Sequence, residues 1–216
     1  MKDLYENGTI FCNPIVEFSR SSDGGRNDED ETTTRIEDLS GKVIQFSQDS
    51  SFKDSFYIHC KTVRYRESNE DMRGNIYCLY SLDLENAPIG NVFSVDPKVP
   101  KELGDFFVFI HNTKEFTKRV AQKLTQSKLR YDSKRIEYKP LKSHTGNKDI
   151  FTKDNVYSYQ NEFRLYIDTG LNEAYKINIG SLKDIASIHR YDPRIRWIKR
   201  SSSNLIDTNM FEFLVD

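Results

Sequence analysis

Residues 160–168, Gln160-Asn161-Glu162-Phe163-Arg164-Leu165-Tyr166-Ile167-Asp168, alternate polar and apolar side chains over the length of a strand. Successive side chains of a strand point to opposite faces. Phe163, Leu165 and Ile167 therefore share one face, and Gln160, Glu162, Arg164 and Tyr166 share the other. Such a segment demands a sheet whose apolar face is packed on a core, while its charged face is either solvated or lines a cleft. Similar alternation recurs at 42–46, 56–62, 76–82 and 105–111, with further strand-like runs at 135–138, 175–179, 185–189 and 211–215. Against these strands stands one clear helical period. Asn112 is a side-chain cap with Glu115 three residues on, and Phe116, Val120 and Leu124 then repeat at i, i+4 and i+8. The expectation is an α+β fold: a twisted mixed or antiparallel sheet, one main helix at about 113–129, and several short helices, the first entered through Pro14.

No compositional break divides the 216 residues, which implies one globular domain spanning 1–216. Fourteen Phe and twelve Tyr supply ample core material, and a net charge of -1 provides no global field that would recruit nucleic acid or an anionic membrane. Cys12, Cys60 and Cys78 each sit in an apolar run without a CxxC spacing, as buried free thiols do. The N-terminal residues lack the apolar stretch of a signal peptide, and no run approaches the roughly 18 apolar residues of a span, so a cytoplasmic chain without a membrane partner is expected. Residues 21–38 hold seven acids and two arginines, with no apolar residue before Ile36. They read as a solvated, partly mobile loop. The loop departs from the calcium-loop pattern, with Thr34 where a glutamate is required, so no metal is expected. If it folds over the sheet, Asp28 or Glu31 would meet Arg164 or bring a second carboxylate towards Glu162.

Gln160-Asn161-Glu162 at the head of a strand resembles the Gln/Glu-x-Glu element of ADP-ribosyltransferases. The resemblance implies an enzyme that uses NAD to modify a macromolecular target. Glu162 would be the catalytic carboxylate that stabilises positive charge as nicotinamide departs, Gln160 would position the acceptor, and Arg164 would assist in positioning. Arg26 and Arg64 are the candidate cofactor-binding cations, with His59 the other early-strand candidate. A broader set of ordered motifs is similar to a family of uncharacterised bacterial and phage proteins. It comprises Gly8-Thr9-Ile10-Phe11, Asn13-Pro14, Phe18, Arg26-x-Asp28-x-x-Glu31, Gly104-Asp105, Phe116-x-x-Arg119-Val120, Phe151-x-Lys153, Tyr159-Gln160-Asn161-Glu162-Phe163-Arg164 and Ile179-Gly180-Ser181-Leu182-x-Asp184-Ile185. This second resemblance singles out Arg26, Asp28, Glu31, Gln160, Glu162 and Arg164 without implying a reaction.

Two other functions fit the residues. A non-enzymatic phage or mobile-element protein could bind and modulate a host protein through charged surfaces. A nucleic-acid binder or nuclease could use segments 114–148, with eleven Lys+Arg against three Asp+Glu, and 190–200, with five against one. Glu162-Phe163-Arg164 echoes the acid-x-Lys end of one nuclease motif, with arginine where a proton-transferring lysine is needed. The four histidines sit one to a segment, His144 in its polar loop being the best placed for catalysis.

Overall fold

The computed structural model describes residues 1–21, 27–47, 55–82, 92–193, 195–199 and 211–215. At its centre lies a five-stranded antiparallel sheet in the order Tyr175–Asn178, Thr9–Pro14, Asn75–Tyr80, Glu162–Asp168, Arg130–Arg135. The fold is α+β, as the alternation of 160–168 and the single long helical period require.

The main helix, Thr113–Gln126, begins as its sequence dictates: the Asn112 side chain accepts from the Glu115 N–H at 3.0 Å. It ends three residues before the expected 129 because Lys128 enters the left-handed region at φ 56, a conformation that cannot continue a right-handed helix. Phe116, Val120 and Leu124 are buried and meet Ile10, Cys12, Leu165, Ile167 and Ile177 of the sheet, with Leu182 and Ile185 closing the cluster. This is the apolar core, and it takes the face of the Glu162–Asp168 strand that carries Leu165 and Ile167.

Around this core stand smaller sheets. Thr33–Asp38 is flanked by Gly146–Asn147 and Arg64–Ser68, while Glu137–Lys139 runs parallel to Thr152–Asp154. Phe106–Ile110 pairs with Ala186–Arg190, and Phe211–Val215 pairs with Ile195–Lys199, which also joins Val92–Phe93. The C-terminal segment therefore docks on a separate three-stranded sheet and not on the central one. Val43–Ser47 and Ser55–His59 form a hairpin that, among the described residues, pairs only with itself, with Phe46 stacked on Phe56 at 5.1 Å.

Three local expectations change. Residues 33–38, read as loop, form a strand, because the small sheet supplies hydrogen-bonding neighbours that composition does not reveal. The short turn or helix that the sequence suggests over 154–158, with a strand from about Tyr159, is a 3-10 helix that runs on through 155–160, so the central strand starts at Glu162. Asn161 makes the transition at φ 38, a left-handed conformation that asparagine tolerates better than most residues. Glu6-Asn7-Gly8, whose Asn-Gly pair suggests a turn before the first strand, instead ends the short helix Lys2–Asn7, which Gly8 closes at φ 68.

Gly8 combines two constraints. Its φ is one that side chains resist, and an added Cβ would lie 1.8 Å from the Gly180 carbonyl oxygen. Gly8→Ala is expected to cost roughly 1–3 kcal/mol in denaturant unfolding. Gly41→Ala, at φ +76 with nothing within 4 Å of the new Cβ, should cost only the conformational part, about 1 kcal/mol. Equal losses at the two positions would contradict the close approach of Gly8 to Gly180.

Candidate functional site

The charged face of the Glu162–Asp168 strand is not solvated. Glu162 is 5% exposed and Arg164 1%, and they share their burial with Asp28, Glu31, Lys148, Lys153 and Gln160. Three carboxylates and three cations thus lie beneath the surface on the side of the sheet opposite the apolar core. Their covering comes from residues 27–34 and from 146–160. The two segments are tied together where the Lys148 N–H donates to the Thr34 carbonyl at 2.8 Å and where Gly146–Asn147 pairs with the Thr33–Asp38 strand.

Arg164 is the hub. Its Nε donates to Glu162 Oε1 at 2.7 Å, its Nη2 to Glu31 Oε2 at 3.2 Å, and its Nη1 to both Glu31 Oε1 and the Ile150 carbonyl. The fork therefore grips Glu31 with two nitrogens, the geometry in which arginine binds carboxylates most strongly. Lys153 is the second hub: its Nζ donates to Gln160 Oε1 and Glu162 Oε2, each at 3.0 Å. Glu162 in turn has both oxygens committed, and its backbone N–H donates to the Tyr138 hydroxyl at 2.9 Å. Cys78, opposite Arg164 on the neighbouring strand, adds its thiol beside the Glu162 carboxylate.

These contacts set the ionisation of each group. Burial opposes the charge on Glu162, but Arg164 and Lys153 outweigh it and pull the carboxyl down to about 2. Burial likewise opposes the charge on Lys153, and Glu162 and Glu31 overcome it, holding the ammonium well above its usual range. Asp28 behaves oppositely: burial first, then the nearby Glu31 charge, push it up to about 6, and Lys153 and Lys148 only partly offset the rise. Burial also lowers Lys148. The reason is visible in the contacts, since Asp28 Oδ2 and Lys148 Nζ are buried without a hydrogen-bond partner, as is Asn27 Oδ1. Asp28 Oδ1, by contrast, accepts from the Asp30 N–H at 3.1 Å.

Of the residues singled out in the sequence, the fold brings Gln160, Glu162, Arg164, Asp28 and Glu31 into one cluster, including the contact between Glu31 and Arg164. Arg26 lies outside the described residues. Arg64 is elsewhere: its Nη2 donates to the carbonyls of Leu141 and His144, four positions along the Arg64–Ser68 strand from the end that pairs with Thr33, about 13 Å away. His59 is exposed on the hairpin. Sequence reasoning placed none of Lys148, Lys153, Tyr138 and Cys78 in this cluster. Only Lys153 left a trace, in the Phe151-x-Lys153 element, where both named residues prove to be buried.

Several cations of the basic segment 114–148 are paired: Lys118 and Arg119 meet Glu115, Arg119 also meets Asp184, Arg130 meets Asp168, Lys134 meets Asp149 and Lys139 meets Glu137. Among the described residues, no group of three or more His, Cys, Asp or Glu side chains is arranged to hold a metal ion, and no helix is long and apolar enough to cross a membrane.

Removing one partner of a buried pair strands the other, typically at 3–5 kcal/mol. Glu31→Gln and Arg164→Met are each expected to lose about that much stability in denaturant titration, and a loss below about 1 kcal/mol would contradict the pairing.

The two carboxylates give opposite pH signatures. Glu162, with its folded value depressed to about 2, contributes stability that is present above its unfolded value of 4.5 and is lost as pH falls towards 2. Asp28, with its folded value raised, contributes stability that is complete below 3.8 and lost as pH rises through about 6. Asp28→Asn should therefore raise Tm at pH 8 relative to the parent, by roughly 1–3 kcal/mol in stability, with the gain vanishing towards pH 4. A variant that is destabilised at pH 8 would contradict this assignment.

No family model, no curated protein and no solved structure matches the chain.

Proposed function

We propose that the buried charge cluster is the active centre of an NAD-using enzyme that transfers ADP-ribose to a macromolecular target. The observation that carries this reading is the meeting of Gln160 and Glu162 on one Lys153 ammonium, within a cluster that also holds an unpaired buried carboxylate and an unpaired buried ammonium. Unsatisfied charged groups are costly, and active centres are where natural proteins retain them.

In such a transfer the bond between ribose C1′ and the nicotinamide nitrogen breaks, its electron pair leaves with nicotinamide, and a nucleophile of the target adds to C1′ and gives up its proton. Positive charge develops on the ribose, and a carboxylate facing it lowers the barrier. Glu162 is ionised, but Arg164 and Lys153 neutralise it at contact distance. The carboxylate with a free oxygen is Asp28. In this reading Asp28 meets the developing charge, while Arg164, Lys153 and Glu31 act as positioning residues that keep Glu162 and the covering segments in place. The orphaned polar atoms around Asp28 are compatible with holding a polar ring edge of NAD.

The test is consumption of NAD and transfer of labelled ADP-ribose into a cell lysate by wild type, Asp28→Asn and Glu162→Ala. Transfer by wild type is expected to rise with pH through about 6, as Asp28 ionises. It should fall at least 100-fold in Asp28→Asn at unchanged fold. Well-folded wild type that neither consumes NAD nor labels any acceptor would overturn the reading.

A second reading, binding and modulation of a host protein by a phage or mobile-element protein, is favoured by the self-paired hairpin. Phe46, Phe56 and Ile58 are exposed on one of its faces, with Ile44 half-buried beside them. Exposed contiguous apolar groups of this kind mark interaction surfaces. Phe46→Ser with Phe56→Ser should then abolish capture of a partner while leaving NAD turnover unchanged; retained capture would count against the hairpin.

A further inference from the structure

We propose that Asn27 Oδ1, Asp28 Oδ2 and Lys148 Nζ form a recognition site for an uncharged planar group that carries an NH2 beside an acceptor, the edge shared by a primary carboxamide and by an amino-bearing nucleobase such as adenine. The proposal rests on the reading of the cluster as a substrate site, but not on the transfer step itself.

The three atoms are buried and lack partners, and Asp28 and Lys148 are 2% and 5% exposed as residues. Asn27 and Asp28 are consecutive, and Lys148 is tied to the same covering segment, its N–H donating to the Thr34 carbonyl at 2.8 Å, so that the Asp28 and Lys148 charges act on each other. Their inventory is two acceptors and one donor group. A ligand that satisfies them supplies two N–H hydrogens and one lone pair, the inventory of a carboxamide or of an aminopyrimidine edge.

Charge narrows the choice further. The surrounding cluster holds Asp28, Glu31 and Glu162 against Lys148, Lys153 and Arg164, a balanced set. A phosphate or carboxylate ligand would be repelled by Asp28 and Glu31, and an ammonium or guanidinium by Lys148 and Lys153. An uncharged polar edge meets neither penalty. A single water presents the same hydrogen-bonding inventory and is the species such an edge would displace. At the outer side of the cluster Asn27 and Tyr157 are half-buried and Glu29 is exposed. Tyr157 lies against Lys153, whose Nζ is 5.4 Å from the ring centroid, so an aromatic ring borders the cluster.

The experiment is calorimetric and NMR titration of the full chain with nicotinamide, adenosine and nicotinate as probes. Nicotinamide or adenosine, whichever source the site serves, is expected to bind saturably, and Lys148→Met and Asp28→Leu should each weaken that binding about tenfold or more. Nicotinate, which replaces the NH2 by a second carboxylate oxygen, is expected to bind at least about tenfold more weakly than nicotinamide if the carboxamide is the ligand. If neither variant folds, the order of the three probes on wild type decides. Absence of saturable binding by both nicotinamide and adenosine would mean that the site holds water only and would overturn the proposal. So would binding of either that survives Lys148→Met in a folded protein. Binding of a probe without NAD turnover would sink the transfer reading alone, whereas turnover with no probe bound at these residues would sink this inference alone.

Discussion

The guanidinium of Arg164 holds together three parts of the chain that are distant in sequence. It rises from the central strand, takes Glu162 two positions away on the same strand, chelates Glu31 from 133 residues upstream, and donates to the Ile150 carbonyl of the covering segment. A buried arginine has no use for water once its donors are filled, and here each of its three nitrogens has a protein acceptor. That one group explains why residues 27–34 lie over the sheet, although their composition is that of a solvated loop. The same contact converts the charged face of the Glu162–Asp168 strand into an interior.

Such an interior is expensive. Six formal charges are removed from water, and an apolar replacement of similar volume often matches or exceeds the stability of buried ion pairs. The pairing is also uneven. Glu162, Glu31, Arg164 and Lys153 satisfy one another, while Asp28 and Lys148 keep atoms that nothing contacts by hydrogen bonds. Burial therefore outweighs the opposing charges at those two, raising the acid and lowering the base. The result is an ion-paired half of the cluster beside a half in which burial works against the charge of both groups. This division of roles is what acid–base and electrostatic catalysis require of neighbouring groups.

Much of this was legible in the residues. The alternation of 160–168 correctly sends Leu165 and Ile167 into the core, and the spacing of Phe116, Val120 and Leu124 correctly identifies the helix that covers them. The acidic segment was legible only as a conditional: if it folds over the sheet, Asp28 or Glu31 meets Arg164, and of the two Glu31 does. Local pattern could not show that it folds, because whether a polar strand face is covered depends on a partner more than a hundred positions away. For the same reason Lys148 and Tyr138 left no signal. Each is an ordinary residue in a polar stretch whose role comes from the parallel pairing of Glu137–Lys139 with Thr152–Asp154 and from the tie between Lys148 and Thr34. The shift of the strand start from Tyr159 to Glu162 has a backbone cause, the left-handed turn at Asn161. That turn places Gln160 beside Glu162 by way of a 3-10 helix and not by strand alternation.

Asp28 is a buried carboxylate with one oxygen lacking a hydrogen-bond partner, and the proposed transfer requires that oxygen to face substrate. Carbon-13 NMR of its side-chain carboxyl, followed from pH 4 to 8 with and without NAD, reads that directly. The expected titration midpoint is about 6 in the free protein, moving when NAD is added. A midpoint in the ordinary aspartate range that NAD leaves unchanged would show Asp28 to be solvated and uninvolved, and would contradict the account.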